Sequence, residues 1–323
     1  MENKFVTYEM QESDIVEAVN IWADQYLRYR SSKSFPQSWL NNTSSIAGFL
    51  HKKVQDKAAI VVKSGNKLLG YLTYDEFPFN GEKSVFCPAI AHAAIEEYKE
   101  EVYLSLYKRI SKEWVGRNVF NHMWTFFYND TKLRGILYDL GFGSYLIDAF
   151  SCTNNLINAS EAKAIRRAEI QDVDVLSYLV EESREYYRSA PIFLRRDQYS
   201  KDDILDVIQK SAVFIAWEAN SAIGFMNVSA SQRDNLIDLS VHQYGLLDEI
   251  GAYIKPEFRG KGLGIELLKH VFDYCNNNGV EGIHVDFETA NIFANKFWRK
   301  YFDPMLLSVR RTINKDINDP QAE

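Results

Sequence analysis

One segment gathers residues whose types and spacing suit chemistry: Ile254-Lys255-Pro256-Glu257-Phe258-Arg259-Gly260-Lys261-Gly262-Leu263-Gly264-Ile265-Glu266-Leu267-Leu268. An alternating strand closes at Pro256 and three spaced glycines follow. Leu263, Leu267, Leu268, Val271, Phe272 and Cys275 then mark one face of a helix. Glycines permit backbone angles that turn successive N–H groups into one concavity, and a helix start adds unpaired donors and partial positive charge. Arg259 and Lys261 add full charges. Such a cradle suits a pyrophosphate. A Walker loop needs Lys-Ser or Lys-Thr after its last glycine, and here Gly262 is followed by Leu263. A dinucleotide fingerprint needs GxGxxG after a first strand, whereas Gly260, Gly262 and Gly264 follow a late one. A plain glycine turn is the remaining alternative.

The elements that must position this turn read as one plan used twice. In the second half, 164–168 alternates as a strand, and Gln171-Asp172 opens a helix with Val173, Leu176, Leu179 and Val180 at helical spacing. Strands are expected at 213–217, 222–228, 248–254, 283–287 and 305–313. A last helix carries Phe293, Phe297, Trp298 and Tyr301. The first half follows the same order: strand 5–8, a helix from Ser13, strands 58–62, 68–74 and 84–87, a helix through Tyr103 and Leu106, strand 120–128, and a helix capped by Asp130. Shifted by 160 residues, Tyr138 falls on Trp298 and Phe142 on Phe302. Matching order with faint identity is what an old duplication leaves. The expected division is 1–157 and 158–323, with the boundary in the polar stretch 154–160.

Arg259-Gly260-Lys261-Gly262-Leu263-Gly264 has the form R-x-x-G-x-G after Ile-Lys-Pro-Glu-Phe, and Asn291-Ile292-Phe293-Ala294-Asn295-Lys296-Phe297-Trp298 begins 27 residues past Gly264. Together these resemble the GNAT superfamily of acyl-CoA-dependent N-acyltransferases, over residues 163–313. The first half resembles the same fold by order alone; its equivalent turn, Cys87-Pro88-Ala89-Ile90-Ala91-His92-Ala93, has no glycine. The expected fold class is α/β (α+β): two tandem GNAT-like domains, each a mixed, mostly antiparallel twisted sheet flanked by helices. The second would be competent for acyl-CoA and the first degenerate.

The resemblance implies acetyl-CoA as co-substrate. Amides of Arg259, Gly260, Lys261, Gly262, Leu263 and Gly264 would hold its pyrophosphate. The strand at Ala252, Tyr253 and Ile254 would splay from its neighbour and pair with the pantetheine, leaving the Ile254 N–H to polarise the thioester carbonyl. Asn291 would touch pantetheine or a bound water, or simply cap its helix. An amine must lose a proton before it attacks. Strand phase puts Glu249 on the face of Gly251 and Tyr253 as the base, with Asp248 as second candidate. The family's usual tyrosine acid is replaced by Trp298, so Tyr301 or Tyr253 would protonate the leaving thiolate.

Composition sets the limits. Charged residues at 25% and hydrophobic ones at 46% describe a folded globular chain, with 16 Gly and 7 Pro too few for a linker-dominated one. No apolar run reaches about 20 residues, so no membrane span is expected, and the start has no signal-peptide pattern, which gives a cytoplasmic expectation. A net charge of −7 argues against nucleic acid. The acid surplus lies in the second half, 26 acidic against 20 basic from 161 onward, which suits a cationic small-molecule or peptide amine acceptor. Cys87, Cys152 and Cys275 read as buried hydrophobes, and no His or Cys spacing suggests a metal. The leading reading is an N-acetyltransferase acting by direct attack in a ternary complex. The alternatives are a non-catalytic acyl-CoA-binding module and a tandem GNAT transferring another acyl group.

Overall fold

A computed structural model of the chain describes residues 5–153 and 164–318. The boundary expected at 154–160 lies outside the described residues. Those described fall into two compact units. Residues 5–147, 235–239 and 304–318 make the first, and 148–153, 164–234 and 240–303 make the second.

The first unit opens with β1 (Val6–Glu9), α1 (Ile15–Tyr29) and α2 (Thr43–Gln55). The strands β2 (Ala59–Ser64), β3 (Lys67–Thr73), β4 (Asp75–Phe79), β5 (Glu82–Cys87) and β6 (His92–Ala94) follow. Then come α3 (Lys99–Gly116), β7 (Asn121–Phe127) and α4 (Thr131–Asp139). One sheet has the order β1-β2-β3-β6, all antiparallel. In the other, β5 pairs with β4 antiparallel and with β7 parallel. The chain therefore changes neighbours between β5 and β6. The carbonyls freed by that change are taken by side chains: Trp22 Nε1 donates to Ala89 O at 3.0 Å, and the Tyr71 hydroxyl to Ile90 O at 2.8 Å. Trp22 stacks on Tyr26 and both meet Phe127, all three buried. Large rings thus fill the space where the strands part.

The second unit takes the end of β8 (Gly143–Cys152), then β9 (Ala164–Arg167), α5 (Val173–Arg188), α6 (Lys201–Lys210), β10 (Ala212–Glu218) and β11 (Ser221–Ala230). It continues through β12 (Gly245–Leu246), β13 (Ala252–Ile254), α7 (Leu263–Asn277), β14 (Gly282–Glu288) and α8 (Ile292–Trp298). The sheet order is β8-β14-β12-β11-β10-β9, with β13 on β11. Leu176, Leu179 and Val180 of α5 meet Ile204, Val207 and Ile208 of α6 over Val213, Ile215 and Phe225 of the sheet. Each such side chain contributes about 1.5–3 kcal/mol when fully buried.

The two units start alike. The Gln11 amide donates to Asp14 Oδ2 at 3.0 Å and the Glu169 amide to Asp172 Oδ2 at 2.8 Å, each fixing the entry to the following helix. Near their ends, Asp130 caps α4 and Asn291 caps α8 by accepting the amide three residues on. Finally β15 (Asp303–Thr312) pairs antiparallel with β7, from Leu306 opposite Phe127 to Thr312 opposite Asn121. The strand expected to close the second half therefore belongs to the sheet of the first unit. Seven consecutive pairs with β7 outweigh its place in the sequence.

Among the described residues, no helix is long and apolar enough to cross a membrane.

Candidate functional site

The second unit contains a cleft of about 400 Å³ between β13, the start of α7, β14 and α8. Its origin is a break in one strand. Leu246 lies opposite His284 in the parallel pairing of β12 with β14, and the Leu247 amide still reaches His284 O at 2.9 Å. A turn follows, with the Gly251 amide on Asp248 O at 2.7 Å and positive φ at Glu249 (53°) and Gly251 (66°). After it, β13 follows β11 alone, so the sheet is open between β13 and β14. Gly224 permits the close approach of β13, since a Cβ there would lie 2.8 Å from Tyr253 O.

The expectation of one continuous strand over 248–254 is corrected by this turn. The two-residue alternation does not pass through residues with positive φ, so the phase argument for Glu249 loses its basis. Glu249 is exposed and its side chain does not line the cleft, whereas Asp248 does. Its carbonyl is held by the Tyr199 hydroxyl at 3.0 Å. Crowding by protein, then the Asp248 and Asp206 carboxylates, raise the Glu249 carboxyl above its usual range.

The β13 register decides which backbone groups face the opening. Lys255 N donates to Ile223 O and Asn227 N to Gly251 O, both at 3.0 Å. Residues 251, 253 and 255 therefore hold the ladder positions on β11, and the amides of Ala252 and Ile254 point to the open edge. The Ile254 carbonyl, on that same edge, accepts from Arg259 Nε at 2.8 Å. The Arg259 guanidinium lies 4.3 Å from the Tyr186 ring centroid, with Tyr253 and Phe293 nearby. Its side chain is thus folded onto the strand end.

Past Arg259 the glycine turn takes the shape its sequence requires. Gly260 and Gly262 have φ of 74° and 90°, and Gly262 caps α7. Among the described residues, the amides of Gly260, Lys261, Gly262, Leu263 and Gly264 donate to no protein acceptor. Helix starts leave such donors free, and five in succession at a positive helix end form a site for an anion. Above Gly260 a Cβ would meet nothing within 4 Å. The turn therefore fits a diphosphate held by main chain. Lys261 is exposed beside it, and Leu263 is buried in the core, so it offers only its amide.

Ala252, Tyr253, Ile254, Arg259, Gly260, Gly262, Gly264, Asn291 and Tyr301 all line the one cleft, while Glu249, Lys261 and Leu263 do not. Asn291 is the N-cap of α8, accepting from Ala294 N at 3.2 Å and from the Tyr186 hydroxyl at 3.3 Å. Trp298 packs on Phe297 and Phe302 and also lines the cleft. Burial, then the Glu182 carboxylate, raise the Tyr253 hydroxyl, which keeps its proton at neutral pH. His242 is exposed and outside the lining.

Sequence reasoning missed the acidic wall. Asp286 and Glu288 of β14 line the cleft, as does Arg196 from the connection between α5 and α6. The sequence does hold a signal for them, namely charged residues at every second position of a strand expected to be buried. Among the described residues, no three His, Cys, Asp or Glu side chains gather as a metal site.

Residues 173–303 match the family model described as Acetyltransferase (GNAT) family. No curated protein matches the chain in sequence. A GCN5-related N-acetyltransferase from Sphaerobacter thermophilus superposes with a TM-score of 0.60 at 11% identity, covering 97% of each chain. A GCN5-related glucosamine N-acetyltransferase region of a fungal multi-domain GH3 beta-N-acetylglucosaminidase gives 0.53 at 12% identity, over 95% of this chain and 38% of that one. At these identities the likeness is one of fold. The fold is that of GNAT proteins, mixed α/β with twisted sheets flanked by helices, and the family match supports acyl transfer as the general chemistry.

Proposed function

We propose that the GNAT domain at 173–303 is a working N-acetyltransferase that moves an acetyl group from acetyl-CoA to a primary amine by direct attack. The observation that carries this reading is the pairing of an open strand edge with a free amide cradle in one cleft. Acetyl-CoA supplies an acetyl thioester, which an unprotonated amine attacks. The amides of residues 260–264 bind the diphosphate, with the Arg259 and Lys261 charges beside them. The open edge at Ala252 and Ile254 offers N–H groups to the pantetheine, and the Ile254 N–H is placed to polarise the reacting carbonyl. Asn291 orients the start of α8 at the cleft wall. Tyr301 or Tyr253 holds a hydroxyl proton that the sulfur needs as it leaves, the task Trp298 cannot perform because its indole is no useful acid.

Two measurements test this reading: calorimetry of acetyl-CoA with the wild-type chain, and CoA release over a panel of primary amines. Binding with release supports it. Binding with no release on any amine would mark a non-catalytic acyl-CoA-binding module, and no binding would remove the proposal altogether.

A further inference from the structure

Asp286 is a carboxylate for which residue type and spacing alone suggest no task. It stands near the end of β14, on the wall of the cleft across the opening from β13. Among the described residues it makes no hydrogen bond and no ion pair, although other acids in this unit are tied down, such as Asp172 by Arg166 at 2.6 and 2.7 Å. Its side chain is open to the cleft. A carboxylate left unpartnered inside a reaction cleft is free to take a proton from what enters.

We propose that Asp286 is the proton acceptor for the incoming amine, the task that strand phase had given to Glu249. This rests on the acetyl-transfer reading above. The acceptor enters as an ammonium ion and gives one proton to an Asp286 oxygen. Its nitrogen lone pair then forms the bond to the acetyl carbon as the carbon–sulfur bond breaks, and that electron pair leaves with sulfur. The sulfur takes its proton from the tyrosine, the nitrogen's second proton passes to the tyrosinate so formed, and the proton on Asp286 returns to solvent as the one net proton released.

The surroundings suit this work near neutral pH. Crowding by protein lifts the Asp286 carboxyl to about 7, with the Asp148 carboxylate of β8 as the next cause and Glu288 adding. His284 on β14 and Arg196 from the α5–α6 connection oppose the rise. Tyr187 of α5 also faces the group, and Asp248, Arg259 and Lys300 line the same cleft. A base poised near the working pH is both unprotonated often enough and strong enough to be useful.

The test uses the full chain and Asp286→Asn, with three readouts. The first is acetyl-CoA affinity by calorimetry, expected to stay within about threefold. The second is the pH profile of kcat/KM with the best amine of the panel, where the variant should lose roughly 100-fold or more at neutral pH and lose the acidic limb near 7. The third needs no turnover: thermal stability against pH. The folded-state pKa is raised, so the folded chain holds the proton longer and wild-type stability falls as pH rises from about 3.8 to about 7. The melting-temperature gap in favour of Asp286→Asn should open across that window and stay level above it. An acidic limb that survives in Asp286→Asn and vanishes in Glu249→Gln would overturn the proposal, as would a flat stability gap. If the wild-type chain binds no acetyl-CoA, the transferase reading itself fails, and a persisting stability gap would show that the Asp286 environment is as described without that task.

Discussion

Gly262 carries the sharpest single-residue consequence. Its φ of 90° is open to glycine and strained for any other residue, and its amide is one of five in that turn that, among the described residues, donate to no protein acceptor. Gly262→Glu combines that strain with a negative charge at the mouth of the cradle. Acetyl-CoA affinity should fall at least about 100-fold with the circular-dichroism spectrum retained; each tenfold is about 1.4 kcal/mol. Unchanged affinity would contradict the cradle. In the first unit the sharpest residue is Asp130. It is buried, caps α4 and pairs with the fully buried Lys99 ammonium at 2.7 Å. Asp130→Ala leaves that charge, among the described residues, with Glu96 and the Tyr29 hydroxyl, so a loss of about 3–5 kcal/mol is expected in denaturant unfolding. A loss under about 1 kcal/mol would mean that Glu96 and Tyr29 suffice. Residue types alone revealed the glycine turn, because positive φ and a helix start are local properties. Glu249 misled for the same reason in reverse, since nothing in its type announces a φ of 53°.

At the scale of elements, the decisive feature is that one strand loses one of its two neighbours partway along. β12 lies between β14 and β11, β13 stays with β11 alone, and the turn between them frees the Ala252 and Ile254 amides. Because the Ile254 N–H makes no ladder bond to β11, Ile254→Pro removes it without breaking the β13–β11 pairing. The rate should drop about 100- to 1,000-fold while the fold persists, as for loss of one donor to a developing negative charge. A variant as fast as wild type would place the polarising donor elsewhere. The first unit has a change of neighbour, from β7 to β3, yet Trp22 and Tyr71 occupy the freed carbonyls there. The sequence showed that difference only as missing glycines. The filling side chains lie 67 and 19 positions from the carbonyls they satisfy, which no local pattern encodes.

For the whole molecule, the duplicated element order was legible because helical and strand periods repeat within each half. The place of β15 was not. Its alternation identifies a strand, but the partner is fixed by seven long-range pairs with β7. A chain ending at Asp303 would leave β7 with one edge bare and remove the buried side chains Met305, Leu306, Leu307 and Val309 from the first unit. Limited proteolysis of that truncation should cut first within 5–147, and a digestion pattern equal to the full chain's would contradict the description of this unit. On the proposed acetyl-transfer reading, the unequal filling of the two openings also sets how many acetyl-CoA molecules one chain can hold. Calorimetric titration of acetyl-CoA into the full-length protein tests the account most directly. The predicted result is one site per chain, lost in Gly262→Glu; two sites, or a single site indifferent to that substitution, would contradict it.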